Sequence, residues 1–181
     1  MAPAVRLILG VILLPLAAPA KANWLPVEGR PGLALEKRGD RAMVRLPRGR
    51  TVPLTHDGPC TGCALQRAES VGERPGSVLI LLVTYASRPK MPTGMCGAGE
   101  ERTLHIIRLR PRPREAVALR IDSCWLTIES NKGPSWDARE GLLQVSRWTP
   151  ASGAEAERFA WRIAPDGRVD VVPTPNSAAT D

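Results

Sequence analysis

The stretch Val78-Leu79-Ile80-Leu81-Leu82-Val83-Thr84-Tyr85 decides the fold class of this 181-residue chain. Its apolar residues are consecutive and do not alternate with polar residues, as they would in a strand with one solvent-exposed face. The run is also shorter than a typical helix. A continuous run of this kind is typical of a β-strand with protein packed on both faces. We therefore expect a core strand here.

Segments further along the chain also have strand patterns. Residues 103–110 and 142–148 are apolar segments of strand length. In residues 116–121 the larger apolar side chains take every second position, which places them on one face of an extended chain. Polar residues 66–75, by contrast, predict one or two helical turns.

Turn chemistry predicts two hairpins. Residues 33–36 and 43–46 flank the polar segment 37–41, as the two arms of a hairpin would. Near the end of the chain, the alternating segment 159–163 is followed by Asp166-Gly167. This pair favours a type I′ turn, in which both central residues have positive φ.

Strands recur about every 8–15 residues, and no amphipathic helix of ordinary length is evident. The sequence therefore predicts an all-β chain, an antiparallel β-sandwich or open barrel, as a single disulfide-stabilised domain. We place a signal peptide at residues 1–22, the antiparallel β domain at 23–172 and a flexible tail at 173–181.

The leader prediction rests on the first residues. Arg6 precedes the apolar segment 7–20, which ends in Ala18-Pro19-Ala20, the small-residue pattern of a signal-peptidase site. The apolar segment is shorter than the roughly 20 residues that a membrane-spanning helix needs, so no transmembrane segment is expected. We expect a bacterial protein that is periplasmic or secreted.

Four cysteines follow the leader and would reach an oxidising compartment, where disulfides form. They are Cys60, Cys63, Cys96 and Cys124. Three pairings are open, and we favour Cys60–Cys63 with Cys96–Cys124. The Cys-x-x-Cys spacing also permits a redox pair or, together with a histidine, a metal site.

A glycine-rich segment, residues 91–101, follows the apolar strand. A phosphate-binding P-loop is excluded because Glu100 and Glu101 follow its last glycine, where a lysine and a hydroxyl residue belong. We expect a tight connection with positive-φ glycines, and a candidate binding loop. The residues of that loop are Gly94, Met95, Gly97, Gly99 and Glu100.

The charge is basic, with 25 Lys and Arg against 18 Asp and Glu, a formal net charge of +7. Four alternating arginines form a candidate anion patch, or else a solvated connection between strands: Arg108, Arg110, Arg112 and Arg114. Anionic partners fit this charge, such as an acidic protein surface or anionic envelope material. Nucleic acid is not expected, because the protein is exported and has no groove-reading motif.

Catalytic machinery is not evident. The chain has two histidines, no Gly-x-Ser-x-Gly elbow and no His-Glu-x-x-His motif, and we expect His105 to be a packed side chain. The sequence predicts a non-enzymatic binding or inhibitor-type module without a cofactor. The alternative is a thiol-redox or metal-handling protein using Cys60 and Cys63. A third hypothesis is a hydrolase, for which we expect a deep cleft lined by at least two nearby carboxylates or by His56.

Overall fold

The computed structural model describes residues 24–38, 41–55, 64–87, 99–153 and 155–174, whose strands form three antiparallel sheets of four strands each. The N-terminal sheet contains β1 (Leu25–Pro26), β2 (Ala34–Arg38), β3 (Arg41–Arg45) and β4 (Thr51–Leu54), paired in that order. The central sheet contains β5 (Leu65–Arg74), β6 (Val78–Ala86), β7 (Glu100–Arg108) and β8 (Arg114–Ser123), also in order.

The C-terminal sheet contains β9 (Ser135–Asp137), β10 (Leu142–Arg147), β11 (Glu157–Ile163) and β12 (Val169–Val171). Single 3-10 turns lie at Pro47–Gly49 and Pro150–Ser152. Neighbouring strands within each sheet follow one another in the chain, so each sheet is a meander whose connections are local.

Strand β6 shows how the sheets stack, because its side chains alternate between two apolar cores. Leu79, Leu81 and Val83 belong to a core shared with the N-terminal sheet, which we call the first interface. Ile80 and Leu82 belong to a core shared with the C-terminal sheet, the second interface. The prediction that residues 78–85 form a strand covered on both faces is confirmed.

The all-β antiparallel class is also confirmed. The three sheets form two successive sandwiches that share the central sheet. The hairpin predicted at residues 33–46 is present, since β2 and β3 pair with Leu35 opposite Val44. In β8, Val117, Leu119 and Ile121 all pack at the second interface, as their spacing predicted.

The helical turns predicted for residues 66–75 are wrong, because this segment is most of strand β5. It pairs along β6 with two register irregularities. The pattern failed because β5 is an edge strand of the central sheet: Ala68 is buried, while most of its polar side chains stay half-buried or exposed. Pairing with β6 therefore decides its conformation, not its own composition.

The turn predicted at Asp166-Gly167 joins β11 and β12, but it is not of type I′. Gly167 donates its N–H to the carbonyl of Ala164 (2.9 Å), and Gly167 has positive φ while Asp166 does not. Pro165 is therefore the first central residue of a turn in which only the closing glycine needs left-handed backbone. Ser77 packs close to Gly167, which leaves little room for a side chain.

The disulfide prediction is not supported by the described residues. No complete disulfide lies among them, because Cys60, Cys63 and Cys96 fall outside. Cys124 is described and is disulfide-bonded rather than free. The pairing Cys96–Cys124 and any stabilisation by disulfides stay predictions.

The predicted ends of the chain lie mostly outside the described residues. These include the whole leader, 1–22, and residues 175–181 of the tail. The described start of the tail still contacts the C-terminal sheet: the hydroxyl of Thr174 donates to the carbonyl of Arg158 (2.7 Å).

Candidate functional site

A cleft of about 880 Å³ opens where the N-terminal and central sheets meet. Its walls are the β1–β2 connection, residues 46–50 between β3 and β4, and the ends of β5, β6 and β7. The turn that contains Asp166 adds one side from the C-terminal sheet. The volume lies within the range of small-ligand pockets, about 300–1,000 Å³.

Five arginines line this cleft, from three separate parts of the chain: Arg30, Arg48, Arg50, Arg108 and Arg110. Two carboxylates accompany them, Glu73 and Asp166. The site is therefore strongly basic in a chain that is itself basic. Guanidinium groups present a planar fork of donors that matches the two oxygens of a carboxylate or phosphate.

The segment between β3 and β4 presents two of these arginines through an unusual backbone. Leu46 donates its N–H to the carbonyl of Arg50 (2.7 Å), which closes a tight loop. Inside it, Arg48 has φ 65° and Gly49 has φ 75°. A left-handed conformation is natural for glycine but costs of order 1 kcal/mol for arginine. The loop geometry thus holds Arg48 and Arg50 at the mouth of the cleft.

The carboxylates neutralise only part of the positive charge. Arg30 forms a bidentate ion pair with Glu73, in which Nη1 lies 2.8 Å from Oε1. Asp166 accepts a hydrogen bond from the backbone N–H of Arg168 (2.9 Å). The other four arginines have no ion pair within the described residues: Arg48, Arg50, Arg108 and Arg110. The cleft therefore has donors available for an anion.

The four arginines of the candidate anion patch do not all lie at the same site in the structure. Arg108 and Arg110 line the cleft, whereas Arg112 and Arg114 are not among its lining residues. The chain turns back in a hairpin between β7 and β8, so Arg114 lies on the neighbouring strand, opposite Arg108, and not on the strand that reaches the cleft. Sequence reasoning missed the other three arginines of the cleft, because they lie at least 58 positions before Arg108.

Most of the predicted binding loop lies outside the described residues, namely Gly94, Met95 and Gly97. Glu100 is exposed at the start of β7. Gly99 does not have the positive φ that was predicted; it is required instead by close packing, since a Cβ there would lie 3.0 Å from Cys124 Sγ.

Glu101 forms hydrogen bonds that hold the ends of this loop in place. This role was not predicted from the sequence. Its carboxylate is fully buried, and one oxygen accepts hydrogen bonds from the Ser87 hydroxyl (2.9 Å) and the backbone N–H of Cys124 (3.1 Å) and Trp125 (3.4 Å). Ser87 also donates its N–H to the carbonyl of Gly99 (2.9 Å). The carboxylate therefore joins both ends of the loop to the turn after β8.

His105 lies in the first interface, fully buried, with Nδ1 2.6 Å from Glu115 Oε1. The other oxygen of Glu115 accepts the backbone N–H of Thr55 (2.8 Å), just after β4. Burial raises the pKa of Glu115, but hydrogen bonds from His105 and Thr55 outweigh burial and lower it. This triad ties the N-terminal sheet to the central sheet, and His105 is a packed side chain as expected.

Tyr85 and Arg120 face the same part of the first interface, and both are buried. Burial, and then the charge of Glu115, raise the pKa of Tyr85, while the charge of Arg120 opposes them. The phenol is therefore a neutral hydrogen-bonding group across the ordinary pH range. These polar residues lie inside the fold rather than in the arginine cleft.

Among the described residues, histidines, cysteines and carboxylates do not gather in groups that could hold a metal ion. The helices of this part of the chain are also too short to cross a membrane. Cys60 and Cys63, on which the redox and metal hypotheses rest, lie outside it, as does His56, one of the residues named for a hydrolase.

Comparison with known proteins adds no assignment: no protein family, curated protein or solved structure matches this chain.

Proposed function

We propose that this protein is a non-enzymatic binding module, exported to the periplasm or the medium, whose arginine cleft holds an anionic group of a protein or envelope partner. The observation that supports this proposal most is the set of four arginines around one cleft that form no ion pair with another described residue. Arginines that only contact solvent have no reason to converge from distant segments of the chain. Because like charges repel each other, bringing these arginines together is unfavourable unless an anion binds between them.

Local structure supports the same proposal. Arg48 is held in a left-handed conformation at the mouth of the cleft, at a free-energy cost that the loop must offset elsewhere. The buried side chains Leu46 and Leu79 also line the cleft. Arg108 ends strand β7, and Arg48, Arg50 and Arg110 lie in short connections next to core strands. Preorganised donors lose less entropy when a ligand binds.

The test is a titration of the processed chain with polyglutamate and with a polyuronate, at low and at physiological ionic strength. We expect binding that weakens as salt rises, because exposed charges are screened. Arg50→Ser and Arg110→Ser should each weaken it about fivefold, and the double variant about twentyfold.

A matched control is available in the same hairpin. The double variant Arg112→Ser/Arg114→Ser removes the same charge from residues that do not line the cleft and should reduce affinity clearly less than the double variant within the cleft. Equal loss in both double variants would show that net charge acts and not the cleft. Absence of binding to either polymer would refute the proposed function.

The alternative proposal is thiol-redox or metal handling at Cys60 and Cys63, favoured only by their Cys-x-x-Cys spacing. Thiol counting on the processed chain separates the two proposals. A pair that opens in mild reductant, or one bound metal ion per chain, would favour the alternative; cysteines that stay oxidised would favour the binding module.

A further inference from the structure

The floor of the arginine cleft is apolar. Leu33, Leu46 and Leu79 line it with the small part of their surface that remains exposed, 7%, 3% and 2%. Leu109 is half-buried beside them and packs against the same core. The cleft therefore combines guanidinium donors with a patch that favours an apolar side chain.

One carboxylate of the protein, that of Glu73, already binds a cleft arginine in the way that the carboxylate of a ligand would. Glu73 on β5 reaches Arg30 in the β1–β2 connection and forms the bidentate ion pair already described. Both side chains keep some exposure, 27% for Glu73 and 39% for Arg30. The geometry of the cleft is thus compatible with the side chain of glutamate or aspartate, and Glu73 competes with any incoming anion for Arg30.

A lipid surface fits these observations less well. Peripheral membrane binding uses exposed apolar side chains beside the basic groups. The exposed large hydrophobic residues within the described part of the chain are Leu126 and Val171, and neither lines the cleft. The apolar surface of the site lies on its floor instead, within reach of a side chain that enters the cleft.

We propose that the arginine cleft receives a short acidic segment of a partner protein, with carboxylates on the free arginines and one apolar side chain on the leucine floor. This proposal rests on the proposed function and narrows its ligand to one class. The charges are complementary, and the volume suits a segment of a few residues.

The probe is a short peptide with two glutamates on each side of one leucine, compared with the same peptide carrying alanine. We expect the leucine peptide to bind about tenfold more tightly, because only leucine covers the floor. Arg110→Ser should weaken both peptides about fivefold and leave their ratio unchanged. The ligand-side comparison needs no change in the protein, so it does not depend on the folding of a variant.

A second experiment tests for a variant that binds the leucine peptide more tightly. Glu73→Gln removes the competing carboxylate and frees Arg30, and we expect it to tighten binding of the leucine peptide about threefold. Asp137→Asn, which removes an exposed carboxylate on β9 outside the cleft, is the matched control and should change affinity less. An unfolded variant cannot gain affinity, so an increase is informative.

The outcomes separate this proposal from the proposed function. Equal affinity for the leucine and alanine peptides would overturn the acidic-segment proposal while arginine-dependent polyanion binding survives. Binding to phosphatidylglycerol vesicles without binding to the peptide would overturn it in favour of a lipid headgroup. Failure of polyglutamate, polyuronate and both peptides would overturn the proposed function as well.

Discussion

The two interfaces of the central sheet are built from different kinds of residue. At the second interface, β6 and β7 meet the C-terminal sheet through aliphatic side chains and Trp161, whose ring stacks with that of Phe159 at 6.1 Å between centroids. At the first interface, the same strands bury His105, and Arg120 of β8 lies on the same side. One strand pair thus presents an apolar face and a partly polar face.

This difference separates packing from electrostatics. An apolar interface contributes through burial alone, which does not depend on pH, whereas buried polar groups must be paired and respond to protonation. The arginine cleft opens along the edge of the first interface. The arginine cleft and the pair of His105 with Glu115 therefore both belong to the first interface, and three substitutions test the contrast between the two interfaces.

The largest effect is expected at the second interface. Trp161→Ala removes a ring that is 5% exposed, and we expect a loss of about 4 kcal/mol in the free energy of unfolding, from lost burial and the cavity left behind. Denaturant titration measures it. Leu126→Ala, at a 45% exposed position, is the control and should change stability by less than about 0.5 kcal/mol. A Trp161 effect below about 1 kcal/mol would contradict the description of this interface.

The next effect concerns Glu101, on the face of β7 that also carries His105. Glu101→Ala leaves the Ser87 hydroxyl and two backbone N–H groups without their acceptor, and we expect a loss of about 3 kcal/mol. Glu101→Gln keeps one oxygen in place and should cost about half as much. Chemical denaturation of both variants checks this. Equal losses would show that charge, rather than the acceptor, is what the site requires.

The smallest effect is the pH dependence at the first interface. The pKa of Glu115 is lower in the folded chain than its ordinary value of 4.5, so the unfolded chain binds a proton more readily. The stability that Glu115 contributes is complete above pH 4.5 and is lost as the pH falls through the lowered pKa. Glu115→Gln should therefore flatten the decline of stability in this acid range, as measured by denaturant titration at several pH values.

Trp161→Ala is the matched comparison for that experiment. It should lower stability by the same amount at every pH, because an indole ring does not titrate. The distinction between the two interfaces would be contradicted if Trp161→Ala made the loss of stability in acid less steep, or if Glu115→Gln left that loss unchanged.

The strands were largely predictable because each carries its own periodicity. The unbroken run at β6 predicted a strand covered on both faces, and the every-second-residue pattern of β8 predicted which side chains share the second interface. The turn after β11 was placed correctly but given the wrong type, because Pro165 fixes the first central residue and leaves only Gly167 left-handed. Strand β5 was missed because its polar edge position hides its periodicity.

The candidate site was only partly predictable. The arginines at positions 108 and 110 were singled out from their alternation, but the same alternation wrongly joined them to Arg112 and Arg114, which do not line the cleft. Glu101 gave no such signal: it precedes the predicted strand 103–110 and is the second residue of β7. Nothing local marks Arg30 as a neighbour of these residues.

What the sequence determined by itself is therefore the all-β class, most of the strands and the double coverage of β6, since alternation and unbroken apolar runs record how each strand is exposed to water. Tertiary structure alone decided which side chains from distant strands meet. The arginine cleft and the contact of Glu115 with His105 and Thr55 arise only when sheets stack. Periodicity reports the face on which a residue lies, but sheet packing sets what that face touches.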